Sequence, residues 1–146
     1  MGTVSDILRD KPGISIFSTL PNDSVLDATQ LMIRYGVGAL LVMEGENLLG
    51  IFTERDVLRR IVAERRNPLE TSVADVMTRN VICCTLETSI DEARSVMKNR
   101  RIRHLPVLGP LGDVLGVISI GDLNAYHTSH QESTIHLLHE YLHGRA

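Results

Sequence analysis

Tryptophan is absent, and the remaining aromatics are two Phe and three Tyr in 146 residues. A binder of single-stranded nucleic acid stacks bases on aromatic side chains, and this chain has almost none to offer. Neither sign of charge dominates: 15 Lys and Arg stand against 18 Asp and Glu, for a net charge of −3. Such a chain has no overall field to attract a polyanion, so nucleic acid is excluded as a partner. Cysteine occurs twice, as the adjacent pair Cys83 and Cys84. Neighbours on a strand point to opposite faces, so neither chelation nor a disulfide follows, and both read as small apolar residues of a reducing compartment. Long apolar runs are missing too. The longest, Val37 to Met43, falls far short of a membrane span. Asp6 and Arg9 interrupt the N-terminus where a secretory signal needs an apolar stretch. Asp6 also stands where a myristoylation pattern starting at Gly2 needs Ser or Thr. These absences point to a cytoplasmic protein with no membrane partner.

What is present is an ordinary globular composition, 43% hydrophobic and 23% charged, sufficient for one compact core. The chain also repeats itself. Val4-Ser5-Asp6-Ile7-Leu8 matches Val73-Ala74-Asp75-Val76-Met77, and Ser24-Val25-Leu26-Asp27-Ala28 matches Ser89-Ile90-Asp91-Glu92-Ala93. Leu40-Leu41-Val42 falls on Leu105-Pro106-Val107, and the stretch from Leu49 to Asp56 falls on that from Leu115 to Asp122. Each copy opens on a short apolar run, Ile14 to Phe17 and Val81 to Cys84. A capping cluster follows, Asn22-Asp23-Ser24 and Thr88-Ser89, the latter with Glu92 in capping-box spacing. The next segment is helical, with Val25, Ala28, Leu31 and Met32 on one face and Ile90, Ala93, Val96 and Met97 on the other copy's. Two apolar runs split by a polar turn come next, Glu44 to Asn47 in copy 1 and Gly109 to Asp113 in copy 2. A second helix starts near Thr53 and near Ser119. The order is β-α-β-β-α, twice. One such unit leaves an apolar sheet face bare, and two units packed sheet to sheet cover it. The fold class is therefore α/β (α+β) with pseudo-two-fold symmetry: copy 1 over residues 1–65, copy 2 over 66–126, and a tail over 127–146. Arg66 to Thr71, polar and containing Pro68, reads as the connector.

The most informative local pattern is Gly, two apolar residues, Ser or Thr, two residues and Asp, at Gly50 to Asp56 and at Gly116 to Asp122. A capping box explains Thr53 with Asp56 and Ser119 with Asp122. It does not explain the glycine, which lets a backbone or a ligand approach the strand end. A hydroxyl at a helix N-terminus is also a ready phosphate site, and a carboxylate one turn in can accept both hydroxyls of a ribose. The densest basic stretch is Lys98-Asn99-Arg100-Arg101-Ile102-Arg103-His104. Lys98, Arg100 and Arg101 suit a helix C-terminus, whereas Arg103 and His104 start an apolar strand.

The ordered set of these motifs, found twice, resembles cystathionine β-synthase (CBS) domains. It comprises the doubled Gly-to-Asp pattern, the Asp6-Ile7-Leu8 and Asp75-Val76-Met77 starts, and Arg103-His104-Leu105-Pro106-Val107. Two such repeats form a pair called a Bateman module, and the resemblance spans about residues 3 to 125. It implies clefts for an adenosine ligand (AMP, ADP, ATP, NAD or S-adenosylmethionine) acting as a regulatory ligand, not a catalytic cofactor. It also implies homodimerisation and control of partner proteins. Residue by residue, it implies ligand-binding roles for Ser119, Asp122, Arg103, His104, Pro106 and Ile82 in copy 2, and for Thr53, Asp56 and Arg55 in copy 1. Copy 1 departs where Gly38-Ala39-Leu40-Leu41 replaces the basic-His-Leu-Pro stretch. The sites are accordingly expected to be unequal, with copy 2 preferring phosphorylated ligands and copy 1 binding weakly, binding a less charged ligand or borrowing cations from copy 2.

The tail from Gln131 to His143 has helical periodicity, with Ile135, Leu137, Leu138, Tyr141 and Leu142 on one arc. Glu132, His136, His139 and His143 fall together beside it. One straight helix cannot close four ligands around a single tetrahedral ion, so this edge reads as polar surface in preference to a metal site, with a pH response as a further option. No nucleophile-and-base spacing surrounds the cysteines, and there is no Walker A loop or GxGxxG motif. The sequence thus points to a stand-alone, non-enzymatic sensor that signals to a separate effector protein by conformational change. A dimeric scaffold with non-functional clefts and a metal-responsive tail are the alternatives.

Overall fold

The computed structural model describes residues 2–11 and 16–129. The helical tail expected over 131–143, with its histidine edge, and the first part of the Ile14–Phe17 run lie outside these residues. Two three-stranded sheets carry the fold, one per copy. In copy 1, β1 (Ser18–Thr19) pairs in parallel with β2 (Ala39–Glu44), which pairs antiparallel with β3 (Asn47–Thr53). In copy 2, β4 (Cys84–Thr85), β5 (His104–Leu108) and β6 (Val114–Ser119) repeat that order and those directions. The register irregularity repeats as well, between Val42 and Met43 and between Val107 and Leu108. The expected β-α-β-β-α grammar is therefore present twice. Both first strands lie later than the apolar runs suggest: β1 begins after Phe17, β4 keeps only Cys84 of its run, and Val81 and Ile82 lie outside the sheet and line a cavity between the copies.

Helix α1 (Val4–Asp10) precedes copy 1, and α2 (Val25–Tyr35) lies within it. One α turn, α3 (Glu54–Asp56), runs on as a π-helix, Val57–Val62. Helix α4 (Val73–Val76) precedes copy 2, followed by α5 (Ile90–Arg100) and α6 (Ile120–Ser129). The matched helices α2 and α5 form for the same reasons. Ser24 Oγ accepts from Asp27 N, and Ser89 Oγ from Glu92 N, each at 3.0 Å; each bond satisfies a free first-turn donor. Val25, Ala28 and Met32 are buried on one, Ile90, Ala93 and Met97 on the other. The ends differ. Gly36 closes α2 in the left-handed conformation at φ 65°, while Arg101 closes α5 at φ 56°. A non-glycine residue there costs about 1 kcal/mol.

The two short leading helices are exchanged. Val4 and Ile7 of α1 lie in the core of copy 2, beside Leu105, Ile118 and Leu123. Val73 and Val76 of α4 lie in the core of copy 1, beside Leu40, Val42 and Phe52. Backbone bonds fix both placements: Val4 N to Thr88 O at 2.8 Å and Ser5 N to Leu86 O at 3.1 Å, against Val73 N to Asp23 O and Ala74 N to Pro21 O, both at 2.9 Å. The seam is tight where α4 ends. Ile51 and Thr78 exchange backbone bonds of 2.9 Å in each direction. A Cβ on Gly50 would lie 2.7 Å from Thr78 O and 2.8 Å from Met77 Sδ.

Because the obstructing atom is a backbone oxygen held by that double bridge, Gly50→Ala forces the seam apart. It is expected to destabilise the fold by roughly 1–3 kcal/mol, read as a lowered melting temperature. An unchanged melting temperature would show that the seam gives way freely.

Candidate functional site

Both copies build the same turn at the end of the third strand. Thr53 N donates to Asp56 Oδ2 at 3.0 Å, and Asp56 N donates back to Thr53 Oγ1 at 3.4 Å. In copy 2, Ser119 N donates to Asp122 Oδ2 at 2.8 Å, and Asp122 N to Ser119 Oγ at 3.1 Å. The reciprocal capping box read from the spacing is present twice.

The two carboxylates then meet different groups. Asp56 is 6% exposed. Its Oδ1 accepts from Thr78 Oγ1 at 3.3 Å and lies 3.8 Å from Arg60 Nε. Arg60 is itself anchored, with Nη1 donating to Val76 O and Met77 O at 3.1 Å each. At the matching place in copy 2 stands an ammonium group. Lys11 Nζ donates to Asp122 Oδ2 at 2.9 Å and to Val117 O at 2.8 Å. Val117 corresponds to Ile51 in the repeat. A charged side chain in copy 2 thus fills the position that the backbone and hydroxyl of Thr78 occupy in copy 1.

A cavity of about 710 Å³ opens between the copies, within the 300–1,000 Å³ range of small-molecule sites. It brings together six of the nine residues singled out from the sequence: Thr53, Arg55, Asp56, Ile82, Arg103 and His104. Ser119 and Asp122 do not line it, nor does Pro106, which is buried in β5 opposite Val117. Pro106 stands where Leu41 donates its N–H to Phe17 O at 3.0 Å in copy 1, so copy 2 forgoes that rung. The grouping therefore differs from the one expected within copy 2. Arg103 and His104 line the same cavity as the Thr53–Asp56 turn of copy 1. Gly38 sits against the Glu54 carboxylate, which a Cβ there would crowd, while His104 Cε1 would lie at an ordinary contact distance of 3.6 Å.

The walls carry charge of both signs. Arg55, Arg59, Arg100, Arg101 and Arg103 line the cavity with only Glu54 and Asp56 as counter-charges. Arg55 also ties the copies together, its Nη1 donating to Arg101 O at 2.5 Å. Thr78, Arg59, Arg60 and Lys11 escaped the sequence reading. Lys11 reaches a partner 111 residues away, which no local pattern can show. Burial holds His104 below the usual imidazole range; Lys11 and Arg103 push the same way, against Glu54 and Asp122. Burial raises both thiols, and Cys84 is pushed up to about 11, with Cys83 adding to it. At neutral pH neither is a thiolate; Cys84 lies in β4, whereas Cys83, expected on the same strand, precedes it outside the sheet. Among the described residues no His, Cys, Asp and Glu group is arranged to hold a metal, and no helix is long and apolar enough to cross a membrane.

Two copies of one unit, exchanged at their leading helices and flanking a shared cleft, define a tandem-repeat module. The CBS domain family model matches residues 3–63 and 73–127, and the chain belongs to that family, carrying two CBS domains. It is 36% identical over 150 residues to the CBS domain-containing protein CBSX3, mitochondrial, of Arabidopsis thaliana, covering 97% of this chain and 72% of that one. Three longer Arabidopsis relatives match as well, and the chain spans 18–24% of their length. Among solved structures, a CBS-domain protein from Burkholderia ambifaria is 42% identical with a TM-score of 0.86, covering 89% of this chain and 96% of that one. The CBS domain pair of protein MJ0100, in complex with 5′-methylthioadenosine and S-adenosyl-L-methionine, is 26% identical with a TM-score of 0.74, covering 90% and 99%.

A histidine held below its ordinary value is neutral at pH 7, and the fold binds its proton less readily than the unfolded chain does. Its contribution to stability is present above about pH 6.5 and is lost as pH falls below it. Melting temperatures between pH 7.5 and 5.5 should therefore drop further for the wild type than for His104→Gln. Parallel curves would show that His104 titrates as it does in the unfolded chain.

Proposed function

We propose that this chain is a regulatory module that binds an adenosine ligand in the cavity between its two CBS domains. The observation that carries the reading is the pairing of a buried carboxylate at the copy-1 turn with cations supplied by copy 2, across one cavity of suitable volume. Asp56 uses three of its roughly four lone-pair positions within the protein. The fourth, on Oδ1, is free to accept a ribose hydroxyl. The Thr53 hydroxyl lies beside that carboxylate. Ile82 and Ile102 give an apolar surface for the base, and Arg55, Arg103 and His104 face the phosphate. The adenosine ligands in the MJ0100 complex support this class of ligand.

Ser119 and Asp122 form the second half-site, where Lys11 is paired with Asp122 Oδ2. In this reading the chain takes its ligand first at Asp56. Because the cavity has walls from both copies, a ligand that favours one separation of those walls shifts the population of that arrangement. The readout is a separate effector protein or the second chain of a homodimer. The module performs no chemistry on its ligand and works in the cytoplasm.

Titration calorimetry of the intact chain with AMP, ATP, NAD and S-adenosylmethionine tests the reading, with each ligand recovered and checked for turnover. Saturable binding with the ligand returned unchanged is the expected outcome. Silence across the panel would favour a dimeric scaffold, and appearance of product would favour an enzyme. Loss of a charged hydrogen bond to a ribose costs on the order of 1.5–3 kcal/mol. Asp56→Ala should therefore weaken binding about tenfold or more, whereas Asp122→Ala should weaken it less. The reverse ranking would move the ligand to the copy-2 turn.

A further inference from the structure

The two copies differ on their outer helices. At one aligned position α2 carries Ile33 and α5 carries Lys98. Beyond the Thr53 and Ser119 turns, Leu58 stands against Asn124 and Val62 against Thr128. The three copy-1 side chains are apolar and open to solvent: Ile33 is 77% exposed, Leu58 63% and Val62 62%. In copy 2, Arg94 of α5 reaches across to α6, with Nη1 donating to Asn124 Oδ1 at 3.1 Å and Nη2 to Leu123 O at 3.4 Å. The residue that matches Arg94 is Thr29, so the repeat sets Thr29 against Leu58 in copy 1. Ile33 and Val62 lie about one turn further along their own elements. Thr29 Oγ1 is buried with no hydrogen-bond partner. The polar bridge of copy 2 is thus replaced in copy 1 by an apolar strip over two adjacent elements. A contiguous exposed apolar surface of this kind marks an interaction site.

The chain also holds a segment of matching chemistry. Residues 130–146 follow α6, and Gln131 to His143 has the periodicity of a helix about 20 Å long, against about 16 Å for α2. Its apolar arc, from Ile135 to Leu142, needs a surface to cover it. At about 100° per residue, Glu132 and Glu140 fall on opposite edges of that arc. The copy-1 strip is bordered in sequence by Arg34, Arg65 and Arg66, all exposed, with Glu64 the one acid among them. A second copy docking by the same strip would set these arginines against their own kind, whereas the tail brings two carboxylates to them. The tail is also tethered. A short tether gives a segment a millimolar effective concentration, which favours it over a free partner of the same chemistry.

We infer that residues 130–146 dock as an amphipathic helix on the Ile33, Leu58 and Val62 strip of copy 1 in the same chain. The inference stands apart from the adenosine-ligand reading. A segment that leaves copy 2 and ends on copy 1 is tied to both walls of the cavity. While seated, it keeps the strip from any other protein.

Hydrogen exchange on the intact chain tests this, with a synthetic peptide of residues 130–146 as the free reference. Amides between 131 and 143 should exchange at least about tenfold more slowly in the chain than in the peptide. Leu58→Glu and Val62→Glu should each remove most of that protection. Asn124→Glu, at the copy-2 position that matches Leu58, should not. The same spectra report β2 and β3, whose retained protection shows that the copy-1 core of each variant is folded. Tail exchange at the peptide's rate would overturn the inference, as would protection unchanged in both copy-1 variants. Protection that fades on dilution, with light scattering giving two chains per particle, would overturn it in favour of a tail exchanged between copies. A dimer that Leu58→Glu dissociates while tail protection persists would assign the strip to a second copy instead.

Discussion

The exchange of α1 and α4 between the two copies is the constraint on which the rest of this structure depends. Each three-stranded sheet needs an apolar cap that its own helices do not complete, and each receives it from the stretch that introduces the other copy. Val4 and Ile7 are buried in copy 2, and Val73, Val76 and Met77 in copy 1. Full burial of such side chains contributes about 1.5–3 kcal/mol each. The exchanged residues together contribute an amount comparable with the net stability of a whole domain. The same exchange brings Thr78 to Ile51 and Lys11 to Val117. The cap that closes each core therefore also delivers the group that meets each motif carboxylate.

From this follows the inequality of the two turns. Their capping boxes match bond for bond, so local sequence makes them equivalent. What distinguishes them arrives from far along the chain: a hydroxyl and a backbone bridge at Asp56, an ammonium group at Asp122. Each carboxylate has a cation beside it, Arg60 at 3.8 Å from Asp56 and Lys11 at 2.9 Å from Asp122, and only the second is a direct hydrogen bond. Symmetry in the repeat thus becomes asymmetry in chemistry through different positions of the exchanged segments, Thr78 directly after Met77 and Lys11 three residues after Leu8.

Much of this was legible in the sequence, because periodicity and capping are local. The helix faces of α2 and α5, the turns between paired strands and both capping boxes stand where Val25, Ala28, Met32, Ser24, Ser89, Thr53 and Ser119 place them. Family resemblance supplied Asp56, Ile82, Arg103 and His104, which the structure gathers in one cavity. It did not supply their grouping. Arg103 and His104 belong by sequence to copy 2 and by geometry to the copy-1 turn, because strand order within each copy says nothing about how the copies face one another. Lys11 was invisible for the same reason. Arg101 was visible in principle, since alignment of the copies sets it on Gly36, but only a backbone angle gives that match its meaning.

The exchange also bears on the order in which the molecule is made. Synthesis runs from the N-terminus, and domains generally fold as units as they emerge. Copy 1 cannot do so in the usual way. Its core is incomplete until Met77 has been added, and α1 has no core to dock on until copy 2 exists. Neither half of the repeat completes its core from its own residues alone.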